Sequence, residues 1–116
     1  MGKIEKFEDI IVWQKSKLLI VDIYKDFKNC KDYAFRDQIQ RASVSIMNNI
    51  AEGYERMGNK EFAKFLYIAK GSCGEVRSML HLALDLDYIN KQTFDLNLER
   101  TLEISRMLSS FIKKLK

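Results

Sequence analysis

The sequence predicts an all-α protein, an antiparallel up-down-up-down four-helix bundle. Its 116 residues contain no proline and five glycines, so helices can run long and strands have little turn chemistry to join them. Apolar residues recur at helical spacing in four segments. Because the interruptions between these segments are short, consecutive helices are expected to pack as antiparallel neighbours. We expect a single domain over residues 1–116.

Composition sets the broad class of the protein. Hydrophobic residues make up 47% of the chain, which is enough for a core, yet no apolar run approaches the ~20 residues that span a bilayer. The charged N-terminus has no signal-peptide pattern, so we expect a cytoplasmic protein. The formal net charge of +4 and the pI of 9.1 are mild, and they permit contact with a polyanion without requiring it.

The first helix is predicted over residues 8–28. Its apolar stripe repeats every seven residues and consists of Trp13, Ile20 and Phe27, with Ile23 and Tyr24 beside them. Residues 29–34 read NCKDYA and contain turn formers, so they are predicted to end this helix and to form the first connection.

The second helix, which runs to Arg56, has a wide apolar surface. One stripe contains Phe35, Ile39, Ala42, Ile46, Ile50 and Gly53, and it is extended sideways by Val44, Met47, Ala51 and Tyr54. One side of a small bundle needs a narrower arc. We therefore expect this helix to be covered on two sides, by its own fold and by another copy of the chain.

The opposite side of the second helix is polar. Arg41, Asn48 and Glu52 are interpreted as a polar network, formed either within the bundle or across subunits. A structural role is favoured over catalysis. The helix is predicted to stop at residues 57–59, where Gly58 suits a left-handed C-cap and Asn59 suits the N-cap of the following helix.

The third helix is predicted over residues 60–86. Its core stripe comprises Phe62, Phe65, Leu66, Ala69, Cys73, Val76, Leu80, Ala83 and Leu84. Tyr67, Gly71, Gly74 and Ser78 fall on the opposite side. Each glycine inside a helix costs ~1 kcal/mol relative to alanine. Either these glycines are simply tolerated, or they let a helix of a second subunit pack closely; the second hypothesis predicts an interface of Gly71, Gly74, Ser78, Met47 and Tyr54.

The fourth helix is predicted over residues 91–115, after a turn at residues 87–90 in which Asn90 serves as N-cap. Its predicted core face contains Phe94, Leu98, Thr101, Ile104, Ser105, Leu108, Phe111, Ile112 and Leu115. The lysines in its last turn complement the helix dipole, so they have a structural explanation before any ligand is considered.

Catalytic chemistry finds little support in the sequence. The single histidine, His81, falls on a charged flank and lacks the Glu-x-x-His spacing of di-iron bundles, and nothing places a nucleophile beside it. Gly71 and Gly74 lie in a helical pattern and form no phosphate-binding loop. Cys30 and Cys73 are too few for a disulfide framework or a zinc site. We expect no enzyme activity, metal or cofactor.

Two groups of cations on the third helix are candidate phosphate contacts. Lys70 and Arg77 line one flank together with His81, whereas Lys60 and Lys64 lie near the start of the helix on another side. Such charges usually form a solvated face. Alternatively, oligomerisation repeats each group around an axis and creates a broad positive surface that neutralises phosphates.

Three segments carry a resemblance to a known family: FEDIIVWQ at residues 7–14, QIQRASVSIMNNIAEGYER at 38–56 and NKEFAKFLYIAKGSCGEV at 59–76. They resemble the bacterial four-helix-bundle family encoded in intervening sequences of 23S ribosomal RNA genes, which includes the accessory variability proteins of diversity-generating retroelements. The similarity spans nearly the whole chain. Met47 departs from the family pattern, in which proline often follows Ser-Ile, and this should leave the second helix straighter.

The resemblance implies a ring-like homopentamer of up-down bundles and, for the retroelement branch, binding of a reverse transcriptase and nucleic acid through a basic surface. Two hypotheses follow. The first is a non-enzymatic oligomeric module that binds RNA or a ribonucleoprotein, with Lys60, Lys64, Lys70 and Arg77 as contacts. The second is a structural scaffold whose partner is another protein.

Overall fold

Four long helices and one short 3-10 helix make up the computed structural model, which describes residues 3–116. The 3-10 helix covers Phe7–Asp9, and the α-helices are α1 (Ile11–Asp26), α2 (Tyr33–Glu55), α3 (Asn59–Asp85) and α4 (Lys91–Leu115). No strand occurs in the described range. The all-α prediction is therefore confirmed, and the bounds of α4 match the sequence prediction.

The four helices pack around one shared core in a molecule of 43 × 25 × 20 Å. Each helix contacts two neighbours, in the cyclic order α1, α2, α3, α4. Contacts between α2 and α3 run in opposite order along the chain: Gln38 bonds Glu75, Ser45 bonds Ser72, and Gly53 packs on Phe65. Fully buried side chains include Leu19, Ile23, Phe27, Ile39, Ile46, Ile50, Leu66, Leu80 and Leu108.

Helix α2 has the apolar surface that the sequence predicts. All six stripe residues from Phe35 to Gly53 are buried, and Val44, Met47, Ala51 and Tyr54 are half-buried. Gly53 lies where α2 and α3 approach most closely, since a Cβ built on it would stand 2.6 Å from the Cβ of Phe65. Only glycine fits this backbone separation.

Helix α1 begins later than predicted. The 3-10 turn at Phe7–Asp9 is followed by Ile10 in an extended conformation, with ψ of 118°, so the α-helix starts at Ile11 instead of Glu8. The extended residue allows Ile10 and Val12 to be buried together, each only 2% exposed. Within the predicted seven-residue repeat, Ile20 and Phe27 are buried, and Trp13 is half-buried against the core. Tyr24, predicted beside this repeat, is 44% exposed.

The helix ends also differ from the prediction. Helix α2 starts at Tyr33, inside the predicted turn, because the Asp32 carboxylate accepts a hydrogen bond from the Phe35 N–H at 3.1 Å and caps the helix. Gly58 has the expected positive φ, +98°, but it precedes α3 as its N-cap and does not end α2. Asn59 is the first residue of α3 and forms no side-chain cap. Asn90 caps α4 as predicted, accepting from Thr93 N–H at 2.8 Å.

The cores of α3 and α4 follow the predicted stripes in part. Phe65 and Leu84 on α3 are only half-buried, as are four residues of the predicted α4 face, Leu98, Ser105, Phe111 and Leu115. Ala63 and Asn97, which the stripes omitted, are buried. The Asn97 amide nitrogen donates to Asp26 on α1 at 2.7 Å, and this hydrogen bond explains a polar side chain in the core. Nearby, Arg100 on α4 pairs with Asp22, and Lys15 pairs with Glu103 at 3.3 Å.

None of the helices within residues 3–116 has the length and apolarity that crossing a membrane requires.

Candidate nucleic-acid interface

The four cations singled out on α3 do not form one continuous patch. Lys60 and Lys64 are exposed near the start of the helix, and Lys64 lies 3.9 Å from Glu61. Lys70 and Arg77 are half-buried on the flank that faces α4, where both act electrostatically on Cys73. Along a helix that rises 1.5 Å per residue, Lys60 and Arg77 are ~25 Å apart.

The small-residue side of α3 is open. Among residues 3–116, nothing outside the helix's own backbone lies within 4 Å of a Cβ placed on Gly71 or Gly74. Exposed apolar side chains accompany the glycines: Tyr67 and Ile68 are about half exposed, at 50% and 52%, and Leu82 at 49%. We name this surface the open stripe of α3, comprising Tyr67, Ile68, Gly71, Gly74, Ser78 and Leu82.

Two α2 residues, Met47 and Tyr54, were predicted to join that interface, and Tyr54 makes contacts within its own chain. Met47 is half-buried. The Tyr54 hydroxyl donates to the Ile4 carbonyl at 3.3 Å, and the Tyr54 ring packs edge-on against Phe62, with centroids 5.9 Å apart. Tyr54 therefore holds the N-terminal segment against the helices of its own chain.

Among residues 3–116, no hydrogen bond or ion pair connects Arg41, Asn48 and Glu52, the predicted polar network of α2, to one another. Arg41 donates to Gln38 at 3.2 Å, which in turn donates to Glu75 on α3 at 2.6 Å. Glu52 instead pairs with Arg56 at 3.3 Å. Asn48 is exposed. A partly buried hydrogen bond between α2 and α3 is made by Ser45 and Ser72, whose hydroxyls are 2.9 Å apart.

A different cationic surface lies where α1 turns into α2. A cleft of about 420 Å³ opens there between the two helices and is lined by Tyr24, Lys25, Lys28, Arg36 and Gln40, with no carboxylate. Lys31 follows in the connecting loop and Tyr33 is the first residue of α2, and both are exposed. The α1–α2 corner is defined here by Tyr24, Lys25, Lys28, Lys31, Tyr33 and Arg36.

Three carboxylates lie beside this corner, and one of them pairs with a corner cation. Asp26 accepts a hydrogen bond from Asn97, and Asp32 accepts one from Tyr88 at 2.7 Å. Asp37 pairs with Arg36 at 3.2 Å. Among the residues that the structure describes, the three corner lysines have no ion pair. Lys25, Lys28, Lys31 and Arg36 therefore exceed these three carboxylates by one charge, and none of the carboxylates lines the cleft.

Aromatic rings complete the corner. Tyr33 is 60% exposed, and the Arg36 guanidinium lies over its ring, 4.8 Å from the centroid. Exposed tyrosines next to cations are the combination with which proteins stack unpaired bases while neutralising their phosphates. The corner can therefore bind a flexible polyanion with planar groups.

Asp32 fixes the shape of this corner. It caps α2 and also accepts from Tyr88, which lies in the turn between α3 and α4. The hydrogen bond from Tyr88, followed by the backbone bond from Phe35, lowers the pKa of Asp32 below its usual 3.8. The same bond raises the pKa of Tyr88 above 10.0. Both shifts favour the bonded arrangement at neutral pH.

The sequence contained a signal for the corner that the helical analysis did not use. Lys25, Lys28 and Lys31 recur every three residues between Tyr24 and Tyr33. The helix-to-turn boundary falls inside this repeat. Helical periodicity therefore assigns one part of the lysine repeat to a helix and the other part to a loop. Arg36 and Gln40 come close to these lysines only when α1 and α2 pack together.

The described residues contain little reactive chemistry. Burial raises the pKa of the Cys73 thiol to about 11, and the thiol donates to the Thr101 carbonyl at 3.2 Å. His81 is exposed, as predicted, and packs edge-on against Phe94. No group of three or more His, Cys, Asp or Glu side chains suited to a metal ion occurs between residues 3 and 116.

Comparison with known proteins identifies the family. No curated protein matches the sequence. A solved crystal structure of a Bacteroides thetaiotaomicron protein, described as having unknown function and as coming from the S23 ribosomal protein family, is similar with a TM-score of 0.83 and 29% sequence identity. The alignment covers 89% of this chain and 99% of that chain. The pattern that defines the 23S rRNA-intervening sequence proteins matches residues 8–110, and the chain accordingly belongs to the 23S rRNA-intervening sequence protein family.

Proposed function

We propose that this protein is a non-enzymatic, cytoplasmic RNA-binding module whose principal contact surface is the α1–α2 corner. The observation that carries the proposal is the cleft lined by Tyr24, Lys25, Lys28, Arg36 and Gln40, which contains no carboxylate and whose two lysines have no ion pair among the described residues. Lys31 and Tyr33, both exposed, follow Lys28 along the chain. Membership in a family named for intervening sequences of 23S rRNA is consistent with an RNA ligand.

The cations on α3 are proposed as secondary phosphate contacts. Lys60, Lys64, Lys70 and Arg77 lie on two sides of the helix, and Lys64 has an acidic neighbour in Glu61. An RNA strand that extends from the corner would reach these four cations only by running along α3 or by crossing to a second subunit. Their contribution to affinity should therefore be smaller than that of the corner.

The architecture proposed for this module is a single-domain, antiparallel up-down-up-down bundle that assembles as a homopentamer. The reversed contact order between α2 and α3 supports the topology. The open stripe of α3 supports an interface between copies, because half-exposed Tyr67, Ile68 and Leu82 accompany two glycines whose added Cβ would meet none of the described residues within 4 Å. Met47 and the polar group Arg41, Asn48 and Glu52 are proposed to lie along the same assembly contacts.

The RNA proposal is tested by salt-dependent binding. Fluorescence anisotropy would follow a fluorescein-labelled stem-loop RNA with single-stranded tails, titrated with wild type and with Lys25→Gln/Lys28→Gln/Lys31→Gln at two salt concentrations. Removal of three phosphate contacts should weaken binding about tenfold or more at low salt and reduce the slope of log K against log salt by about 2–3.

The matched control replaces Lys60, Lys64, Lys70 and Arg77 by glutamine, which removes more charge from α3 than the corner variant loses. We expect a smaller loss of affinity from this control. Equal losses would show that only net charge matters and would remove the corner as a site. A wild-type protein that does not bind the RNA at low salt would leave the alternative function, a structural or protein-interaction scaffold without nucleic-acid binding.

A further inference from the structure

The end of the molecule opposite the corner has a groove that RNA binding does not explain. It measures about 750 Å³ and lies between residues 3–14 and the second half of α4. Helix α1 begins at the groove and ends at the corner, and its 16 residues separate the two by ~24 Å. The groove is therefore a distinct surface.

The floor of the groove is apolar. Ile10 and Val12 are almost fully buried beneath it, and half-buried Met107 and Phe111 continue the floor along α4. Ile11 forms a wall and is 53% exposed, although it lies beside this floor. A partner that covers the floor would bury apolar surface that the monomer leaves in water.

The rim of the groove is cationic at both ends. Arg106 and Lys114 lie eight residues apart on α4, which is ~12 Å along the helix axis and close to one face. Lys3 lines the facing wall. None of these cations forms an ion pair with any residue from 3 to 116, and the one acidic lining residue, Asp9, accepts a hydrogen bond from the Glu5 N–H at 3.2 Å.

We propose that this groove binds an acidic amphipathic helix of another protein. Two cations ~12 Å apart with apolar side chains between them complement a helix that carries carboxylates at positions i and i+8 and leucine-like residues between them. A small amphiphile with one anionic group would pair with only one of these two cations. The groove is open along its length, a shape that admits a helix lying parallel to α4.

The wall that faces α4 is held in place by the fold. The Tyr54 hydroxyl bonds to the Ile4 carbonyl, and the Gln14 side-chain amide donates to the Glu8 carbonyl at 2.8 Å. These bonds connect the N-terminal segment to α2 and to α1. The groove therefore exists before the partner arrives, which reduces the ordering cost of binding.

The test uses a charge swap with a defined probe. The probe is a fluorescein-labelled, lactam-bridged 15-residue helical peptide with glutamate at positions 4 and 12 and leucine at positions 5, 8 and 9. Wild-type protein should bind it saturably, and Arg106→Glu/Lys114→Glu should weaken binding at least tenfold. The same variant should gain affinity for a peptide in which both glutamates are lysine.

The control variant Lys91→Glu/Lys113→Glu carries the same change of charge on α4 outside the groove and should bind like wild type. Urea midpoints verify that both variants fold; if the rim variant unfolds, Arg106→Gln/Lys114→Gln replaces it, with a smaller expected loss of about threefold. The proposal is overturned by the absence of saturable binding at 1 mM peptide, by equal losses in rim and control variants, or by tighter binding of sodium decanoate than of the peptide.

A change of oligomeric mass caused by the rim variant in light scattering would also overturn the proposal, since it would assign the groove to contacts between copies. The inference does not rest on RNA binding. A protein that loses RNA through the corner variant but keeps the peptide would support both proposals separately.

Discussion

The seam between α2 and α3 and the open stripe of α3 both contain glycine, yet the two regions use it differently. At the seam, Gly53 has the Cβ of Phe65 so close that no side chain fits. On the open stripe, none of the described residues lies within 4 Å of a Cβ placed on Gly71 or Gly74. The seam glycine is explained by a contact within the chain, whereas the stripe glycines are explained either by simple tolerance or by the proposed contact with a second copy. Glycine inside a helix therefore identifies a close contact only where the neighbouring backbone is seen.

Cys73, on the covered side of α3, gives the largest expected effect. Its pKa of about 11, against an ordinary value of 9.0, means that about 100-fold fewer thiolates exist near neutral pH, and the side chain is only 1% exposed. Iodoacetamide should modify Cys73 at least 100-fold more slowly in the folded protein than in urea, as followed by mass spectrometry. Rates within tenfold of each other would show that the covered side opens readily.

Gly53→Ala tests the seam directly. Because the new methyl group would overlap the Phe65 Cβ, which is bonded to the backbone, α2 and α3 must separate. The expected loss is about 1–3 kcal/mol of unfolding free energy, after the helix propensity of alanine is included. Urea denaturation measures it. An unchanged or raised midpoint would contradict the close approach at this position.

Gly71→Ala and Gly74→Ala provide the matched test on the open stripe. In the dissociated chain each should raise stability by about 1 kcal/mol, because alanine favours helix and nothing obstructs it. In the assembled protein the added methyl groups should push the copies apart, so the mass measured by light scattering should fall at a given concentration. Variants that gain stability and keep the wild-type mass would remove the stripe from the proposed interface.

Tyr88→Phe gives the smallest expected effect. Tyr88 lies in the turn between α3 and α4, and its hydroxyl donates a hydrogen bond to Asp32. The variant keeps the edge-on packing against Phe35 and loses the hydrogen bond to Asp32. Since the folded pKa of Asp32 lies below 3.8, the stabilisation is present above that pH and is lost as the pH falls through the folded value. The difference in urea midpoint between wild type and variant should be larger at pH 6 than at pH 2.5. The opposite trend would show that Asp32 is not the partner that matters.

Helix content and the α2 core could be predicted because burial repeats with the period of the helix. The helix ends were harder to predict, because each depends on a single residue. Asp32 caps α2, so this helix begins at Tyr33, within the segment 29–34 that was predicted as a turn. Extended Ile10 separates the 3-10 turn from α1, which had been predicted as one continuous helix from residue 8. Asn97 was missed for a related reason, since its burial depends on Asp26 in a helix 71 residues away.

The candidate site was less predictable than the fold. The cations on α3 were assigned from the sequence to two separate sides of one helix, and a continuous positive surface would need oligomerisation to repeat each group. The corner cleft unites Lys25 on α1 with Arg36 on α2, and this juxtaposition exists only after the first connection has folded. Sequence periodicity describes one helix at a time, whereas a binding surface between two helices depends on their packing.

The absence of proline from the chain has a consequence for kinetics. No peptide bond in this sequence is prolyl, so refolding has no step that waits tens of seconds for prolyl isomerisation. Helices that contact their sequence neighbours also form quickly, because little loop entropy is lost before the contacts are made. A slow refolding phase whose rate rises with protein concentration would therefore report the association of copies and not the folding of one chain.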